Sequence, residues 1–328
     1  MPARRESGGC GFRAVPNGED TKAQRIRGGV TVKSRAFLPF WVLLWLCWLC
    51  ASAVAAGLAL EAPSRTAKGD AFLARAVSEK PVHTFRFHWQ GKSFPVQAVH
   101  AEGLWQGLVL LPVDLDAKEG KGRLSVTCVG EERQNPERVG RDIVFFEKKR
   151  PVQRLTVDKK YVSPPADQLE RIRADREKVR AAMADHLPQR HWSLPFARPV
   201  PGGVSSLFGV RRVFNGQPRG THRGLDLRAA EGVPVTACAD GRVVLTDDLY
   251  FSGNAVYLHH GEGVFTAYLH LSEISVQKGD MVRQGQMIGR VGATGRVTGP
   301  HLHLSLLVQG VSVDPQPFLA PAPGPTEQ

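Results

Sequence analysis

Cysteine is scarce: the 328 residues contain five. Cys10, Cys47 and Cys50 fall in the first fifty residues, which leaves Cys128 and Cys238 for the rest of the chain. Two thiols in different predicted domains make no disulfide framework, and each reads as a small buried hydrophobe. No lipobox precedes Cys50, because Trp48 and Leu49 are too bulky for one. No basic-aromatic module of the nucleic-acid-binding kind is present either, so the positive charge of the chain points elsewhere. From Val204 onward no segment carries a helical period.

One long uncharged run does stand out. Residues 37 to 60 follow Lys33 and Arg35 and lack any charge, which is the layout of an export signal. Ala53-Val54-Ala55 ahead of Ala56 matches a small-residue cleavage site, so residues 1–56 read as leader and signal peptide, with a mature start near Ala56 or Gly57. The same run is long enough to span a bilayer, so an uncleaved inner-membrane anchor is the alternative. The long polar stretch ahead of it is compatible with a true translation start at Val30 or Val32. Formal charge is +12. Removing the eight cations and three acids of residues 1–36 leaves +7, a basic exported chain suited to anionic cell-wall polymers. Localisation in the periplasm or cell envelope follows.

Beyond the leader, residues 57–80 read as a polar linker. Phe85, Phe87 and Trp89 then alternate with Thr84, Arg86 and His88, which predicts a half-buried strand. Further short runs bounded by Gly, Asp or charge extend this to a small β-sandwich over 81–150. His83, His88 and His100 lack metal-ligand companions there and read as surface or satisfied histidines. A connecting segment over 151–199 holds a predicted helix at 163–187, started by Ser163 with Pro164 and Pro165, and ended by Pro188. Leu169, Ile172, Val179, Met183 and Leu187 form its stripe, broken at Arg176, and a proline-rich linker follows. Residues 200–318 are glycine-punctuated short strands with an Asn215-Gly216 hairpin, which predicts an antiparallel open barrel or sandwich. Residues 319–328 read as a disordered tail. The fold class is mainly β.

Six of the eleven histidines lie in that last region: His222, His259, His260, His270, His301 and His303. In "GPHLHLSL", His301 and His303 are two apart, and such side chains share one strand face about 7 Å apart. One can bind a metal while the other reaches the metal's water, or both can bind; spacing leaves this open. Leu302 and Leu304 face the core. In "THRGLDL", His222 and Asp226 would stand ~13 Å apart on a straight strand, but Gly224 permits a bend that joins imidazole and carboxylate. Nitrogen and oxygen ligands with an open position describe catalytic zinc.

In order, "SSLFGVRR", "THRGLDLRAAEGVPVTACADGRVV", "GNAVYLHHGEGVFTAYLHLS", "VQKGDMVRQGQMIGRVGATGRVTGPHLHLSL" and "VDP" resemble the LytM or lysostaphin-type zinc endopeptidases of bacterial cell walls. The resemblance covers roughly 205–315. It implies one zinc held by His222, Asp226 and His303, with His270 and His301 as unliganded catalytic histidines. No motif position is lost. Cys238 stands where the family often has a smaller residue, and His259 where an acid is common, with a turn expected there.

What the resemblance implies is metal-assisted hydrolysis of peptide bonds in peptidoglycan stems or cross-bridges. His301 would be the general base, and His270 would stabilise the oxyanion or share the proton transfer. Peptidoglycan peptides are the expected partners, with cell-wall synthesis or division proteins as further ones and no nucleic acid; membrane contact would come only through an uncleaved N-terminal segment. The alternative is a non-catalytic relative that binds the wall and activates amidases, and the retained ligands argue against it. A lipoyl-type carrier also fails, because Lys278 lacks the hairpin-tip setting of a modified lysine. The sandwich is expected to position or shield the groove, or to dock a partner.

Overall fold

The computed structural model describes residues 57–129 and 137–322. The leader, the cleavage site or anchor, Cys10, Cys47, Cys50 and residues 323–328 lie outside the described residues. Among the described residues no helix is long and apolar enough to cross a membrane.

Residues 57–80, expected as a linker, form three strands instead: Leu58–Glu61, Arg65–Ala67 and Ala71–Ser78. Charged residues in this stretch hid an alternation in which Phe72, Ala74 and Ala76 point inward and are buried. The first and third strands join Leu104–Pro112 and Val99–Ala101 in a four-stranded sheet. The second joins a five-stranded sheet with Arg138–Phe146, Gly120–Val129, Thr84–Trp89 and Lys92–Gln97. The two sheets enclose a core around Phe72, Phe85, Phe87, Trp89, Leu111 and Ile143. Trp89 meets Phe72 and Phe145 edge-on at 5.1 and 5.6 Å, and its indole N–H donates to the Pro112 carbonyl at 2.7 Å. Each such side chain contributes about 1.5–3 kcal/mol by burial, so the predicted Phe-x-Phe-x-Trp strand is the sandwich's centre.

The predicted helix is shorter and starts later. Lys159–Val162 forms one turn capped by the Asp158 carboxylate, Ser163 ends it, and a 3-10 turn at Ala166–Gln168 leads into the helix Leu169–Met183. Two consecutive prolines break the path where one continuous helix was expected. The buried face runs through Ile172, Asp175 and Ala182, while Leu169 is exposed. Asp175 belongs inside because its carboxylate accepts the Tyr250 backbone N–H at 2.7 Å. The proline-rich stretch that follows is packed: Trp192, Phe196 and Val200 are core residues.

The C-terminal region is a curled ten-stranded sheet, in which Leu225–Leu227, Leu302–Val308, Val264–Ile274, Gly253–His259 and Gly241–Leu249 are successive neighbours. Asn215 and Gly216, both at positive φ, turn Arg211–Phe214 back onto Gln217–Thr221, as the Asn-Gly pair predicts. The Arg211–Phe214 strand also pairs in parallel with Val152–Leu155. A strand from the presumed connector is thus built into the C-terminal region. At the other end, Leu319 and Ala320 are not free tail, since Phe196 exchanges backbone hydrogen bonds with Phe318 and Ala320 at 2.8 Å. The sandwich leans on this region directly: the Asp314 N–H donates to the Gly69 carbonyl at 2.8 Å, and Leu110 enters the C-terminal core.

Cys128 and Cys238 are both buried, as expected of small hydrophobes. Burial pushes the Cys238 thiol up to about 12. His259 is a correction: it ends a strand, is buried, stacks on Phe265 at 3.9 Å and meets the Asp185 carboxylate at 3.1 Å. Asp185 answers a histidine where a turn was expected.

Candidate active site

The three residues of the predicted ligand set converge. His222 follows the Gln217–Thr221 strand and is fixed by its backbone: its N–H donates to the Val210 carbonyl at 2.9 Å, and its own carbonyl accepts from Gly209 at 2.8 Å. Asp226 and His303 are register partners in the antiparallel pair Leu225–Leu227 and Leu302–Val308, so their side chains stand side by side on one face. Leu302 and Leu304 are buried on the opposite face. His222 Nε2 lies 2.9 Å from Asp226 Oδ1 and 3.0 Å from His303 Nδ1, and His303 Nδ1 lies 2.8 Å from Asp226 Oδ1. All three residues are buried.

Gly224 serves this convergence by its size. It lies outside the left-handed region, but a Cβ there would come within 2.2 Å of His303 Nε2. The expected bend is real; the demand for glycine comes from the neighbouring ring.

Hydrogen bonds on the outer edges of the rings decide which nitrogens face inward. His222 Nδ1–H donates to the Leu207 carbonyl at 2.8 Å, leaving the Nε2 lone pair toward Asp226. The Ser305 hydroxyl donates to the Arg223 carbonyl at 3.3 Å and accepts from His303 Nε2–H at 3.0 Å, which turns the Nδ1 lone pair inward. Two lone-pair nitrogens and a carboxylate oxygen at these spacings repel one another unless a cation sits among them. The donor set is that of catalytic zinc, and outer partners of this kind fix metal-ligating imidazoles. The residues therefore fit the metal.

Burial alone would raise the Asp226 carboxyl, yet the adjacent His222 and His303, when they carry protons, hold it well below the usual carboxylate range. Its other oxygen takes a 2.5 Å hydrogen bond from Arg212 Nη2. Burial pushes His303 down to about 4, so its imidazole is neutral and ligand-competent near pH 7.

His270 and His301 flank the triangle. The His301 ring lies 5.2 Å from that of His270, and His301 Nε2 is 3.7 Å from Asp226 Oδ1. Leu269 is the register partner of His303, which brings the next residue, His270, to 5.8 Å ring to ring. His270 has φ 68, a left-handed conformation that non-glycine residues rarely hold, and such strain gathers at functional sites. Its backbone N–H donates to Ser252 and its Nδ1–H to the Thr294 carbonyl, both at 2.9 Å. His301 Nδ1–H donates to the Gly299 carbonyl at 2.8 Å. Both rings thus present an Nε2 lone pair. Burial first, then the neighbouring His303 and His301, push His270 down to about 3.

Asp226, His270 and His301 open on a cleft of about 520 Å³ that is also lined by Gln153, Leu155 and Val157 and by residues 296–300.

Peptidase family M23 matches residues 220–315, the stretch that contributes all five groups. Residues 220–315 form a peptidase family M23 domain. This domain accounts for a 46% identity over 115 residues with the peptidoglycan DD-endopeptidase ShyC of Vibrio cholerae serotype O1, covering 34% of this chain and 26% of that protein. The DD-carboxypeptidase/endopeptidase Mpg of Neisseria meningitidis serogroup B is 42% identical over 124 residues, covering 38% of this chain and 29% of that one. The chain thus spans just over a quarter of the length of these relatives. A crystal structure assigned to peptidase M23 from Pseudomonas aeruginosa reaches further: TM-score 0.57 at 29% identity, over 77% of this chain and 94% of that one. Likeness to that structure extends beyond the M23 domain.

Sequence reasoning missed Arg212, Ser305 and the cleft wall at 153–157. Ser305 had a signal, since it lies two residues beyond His303 on the same strand face. Arg212 ends the "SSLFGVRR" motif but its role was not read from it, and Gln153 had no signal, because the contacts that place them come from separate strands.

Proposed function

We propose that this chain is an exported zinc endopeptidase that hydrolyses peptide bonds in peptidoglycan stems or cross-bridges. One observation carries the reading: a buried triangle of two imidazole lone pairs and one carboxylate oxygen, with edges of 2.8–3.0 Å, is flanked by two unliganded imidazoles in an open cleft. The ShyC and Mpg similarity supports the substrate class.

His222, Asp226 and His303 would hold the metal. Bound there, zinc supplies a Lewis acid that polarises the scissile carbonyl and acidifies water. His301, with Nδ1–H tied to Gly299, has its Nε2 free to take a proton from the attacking water and return it to the leaving amine. His270 has the same tautomer, so as a neutral ring it accepts rather than donates. That favours a shared proton-transfer role over oxyanion stabilisation, which would need a prior proton on Nε2. Asp226 stays ionised and Arg212 holds its second oxygen, so that Oδ1, the oxygen nearest His222 and His303, would be the one available to a metal. The basic exported character agrees with a cell-envelope location, and cell-wall synthesis or division proteins are the partners to seek.

Muropeptide analysis of walls digested by the purified chain tests the reading. His222→Ala and His301→Ala should each reduce product release by at least about 100-fold. Zinc content should fall in His222→Ala and persist in His301→Ala. Full activity in His301→Ala would overturn the base assignment.

A further inference from the structure

The 292–300 loop carries a charge that none of these roles uses. Arg296 lines the same cleft as Asp226, His270 and His301. Its guanidinium carbon stands 4.9 Å from the Phe214 ring centroid and 4.8 Å from that of Phe251. The backbone holds it there, with the Arg296 N–H donating to the Phe251 carbonyl at 2.9 Å. Among the described residues its side chain has no carboxylate or carbonyl partner. Ring faces balance part of the charge, but they offer its N–H donors no oxygen acceptor. Burial, with Arg212 and Arg219 nearby, depresses its pKa, as expected for a cation short of counter-charge.

The rest of the cleft cannot supply that counter-charge. Asp226 is the sole acid among the lining residues, and Arg212 already engages it. Arg228, another lining cation, is exposed to solvent. Arg296 is therefore a partly desolvated, aromatic-clamped guanidinium facing the space where a substrate lies. A planar fork of this kind suits one chemical group above others, a carboxylate bound through two parallel hydrogen bonds.

We propose that Arg296 is a specificity residue that pairs with a free carboxylate of the bound peptide, so that the cleft ranks acid peptides above their amidated forms. The proposal rests on the reading of the chain as a peptidoglycan peptidase, whose substrates are peptides. Because the loop that carries Arg296 also orients His270 and His301, a carboxylate held there fixes the register of the peptide relative to both imidazoles.

The test is a binding measurement, independent of turnover. Synthetic stem peptides, in which each free carboxylate in turn is replaced by carboxamide, are titrated calorimetrically into the full-length chain carrying His301→Ala. One amidation should weaken binding on the order of tenfold, the size expected of a charge-assisted pair. Adding Arg296→Gln should weaken the acid peptide by the same factor and leave that amide peptide unchanged. Arg296→Lys, which keeps charge and loses the fork, should fall between. The amide peptide's affinity reports whether each variant remains folded. Equal weakening of acid and amide forms by Arg296→Gln, or no discrimination in the parent, overturns the proposal. Failure of the wild-type chain to release any muropeptide would instead overturn the proposed function while leaving these titrations readable.

Discussion

At the scale of single residues, Ser305 governs which nitrogen His303 offers. Its hydroxyl proton goes to the Arg223 carbonyl, so its oxygen can only accept from His303 Nε2–H. Removing that acceptor frees the ring to flip or change tautomer. Ser305→Ala is therefore expected to lower zinc affinity about 10–100-fold, the cost found when such outer partners are lost. Competition against a chelator measures it, and unchanged affinity would show that packing alone sets the tautomer. His222, Asp226 and His303 were legible as a set because "THRGLDL" and "PHLHLS" are short and local. Spacing alone could not separate ligand from base in the His301 and His303 pair. That distinction lives in the outer partners, the Gly299 carbonyl for His301 and the Ser305 hydroxyl for His303, and a backbone carbonyl carries no residue-type signature.

Among the elements, strands with clean alternation were legible and polar-looking ones were not. Phe85, Phe87 and Trp89 announced their strand, whereas 71–78 hid behind alanines and arginine. The Leu169–Met183 helix shows the same limit, because its buried stripe includes a carboxylate that apolar spacing passes over. Asp175 earns its place through the Tyr250 N–H. Asp175→Ala should strand that donor and destabilise the chain by about 1–3 kcal/mol, read as a shift in the urea midpoint at constant slope. Asp175→Asn keeps an acceptor oxygen and should recover most of the loss. Equal stability of Asp175→Ala and the parent would mean that water replaces the carboxylate without cost.

Across the whole molecule, buried histidines couple stability to pH. His260 is fully enclosed between the Asp240 carbonyl and Thr266, and burial pushes it from 6.5 down to about 4. The unfolded chain binds a proton near 6.5 that the folded chain refuses until about 4. This group's contribution is therefore complete above 6.5 and is lost as pH falls from there toward 4. Melting temperature should fall across that window, and His260→Gln should flatten the fall; an unaltered slope would assign it to other groups. A different consequence follows from the parallel strand Val152–Leu155, which lies 65 residues or more upstream of the M23 match yet walls its cleft. Recombination that moved 220–315 alone into another gene would transfer the metal ligands and leave one bank of the groove behind. The heritable unit of this cleft is longer than its recognisable signature, and a functional graft must begin before residue 152.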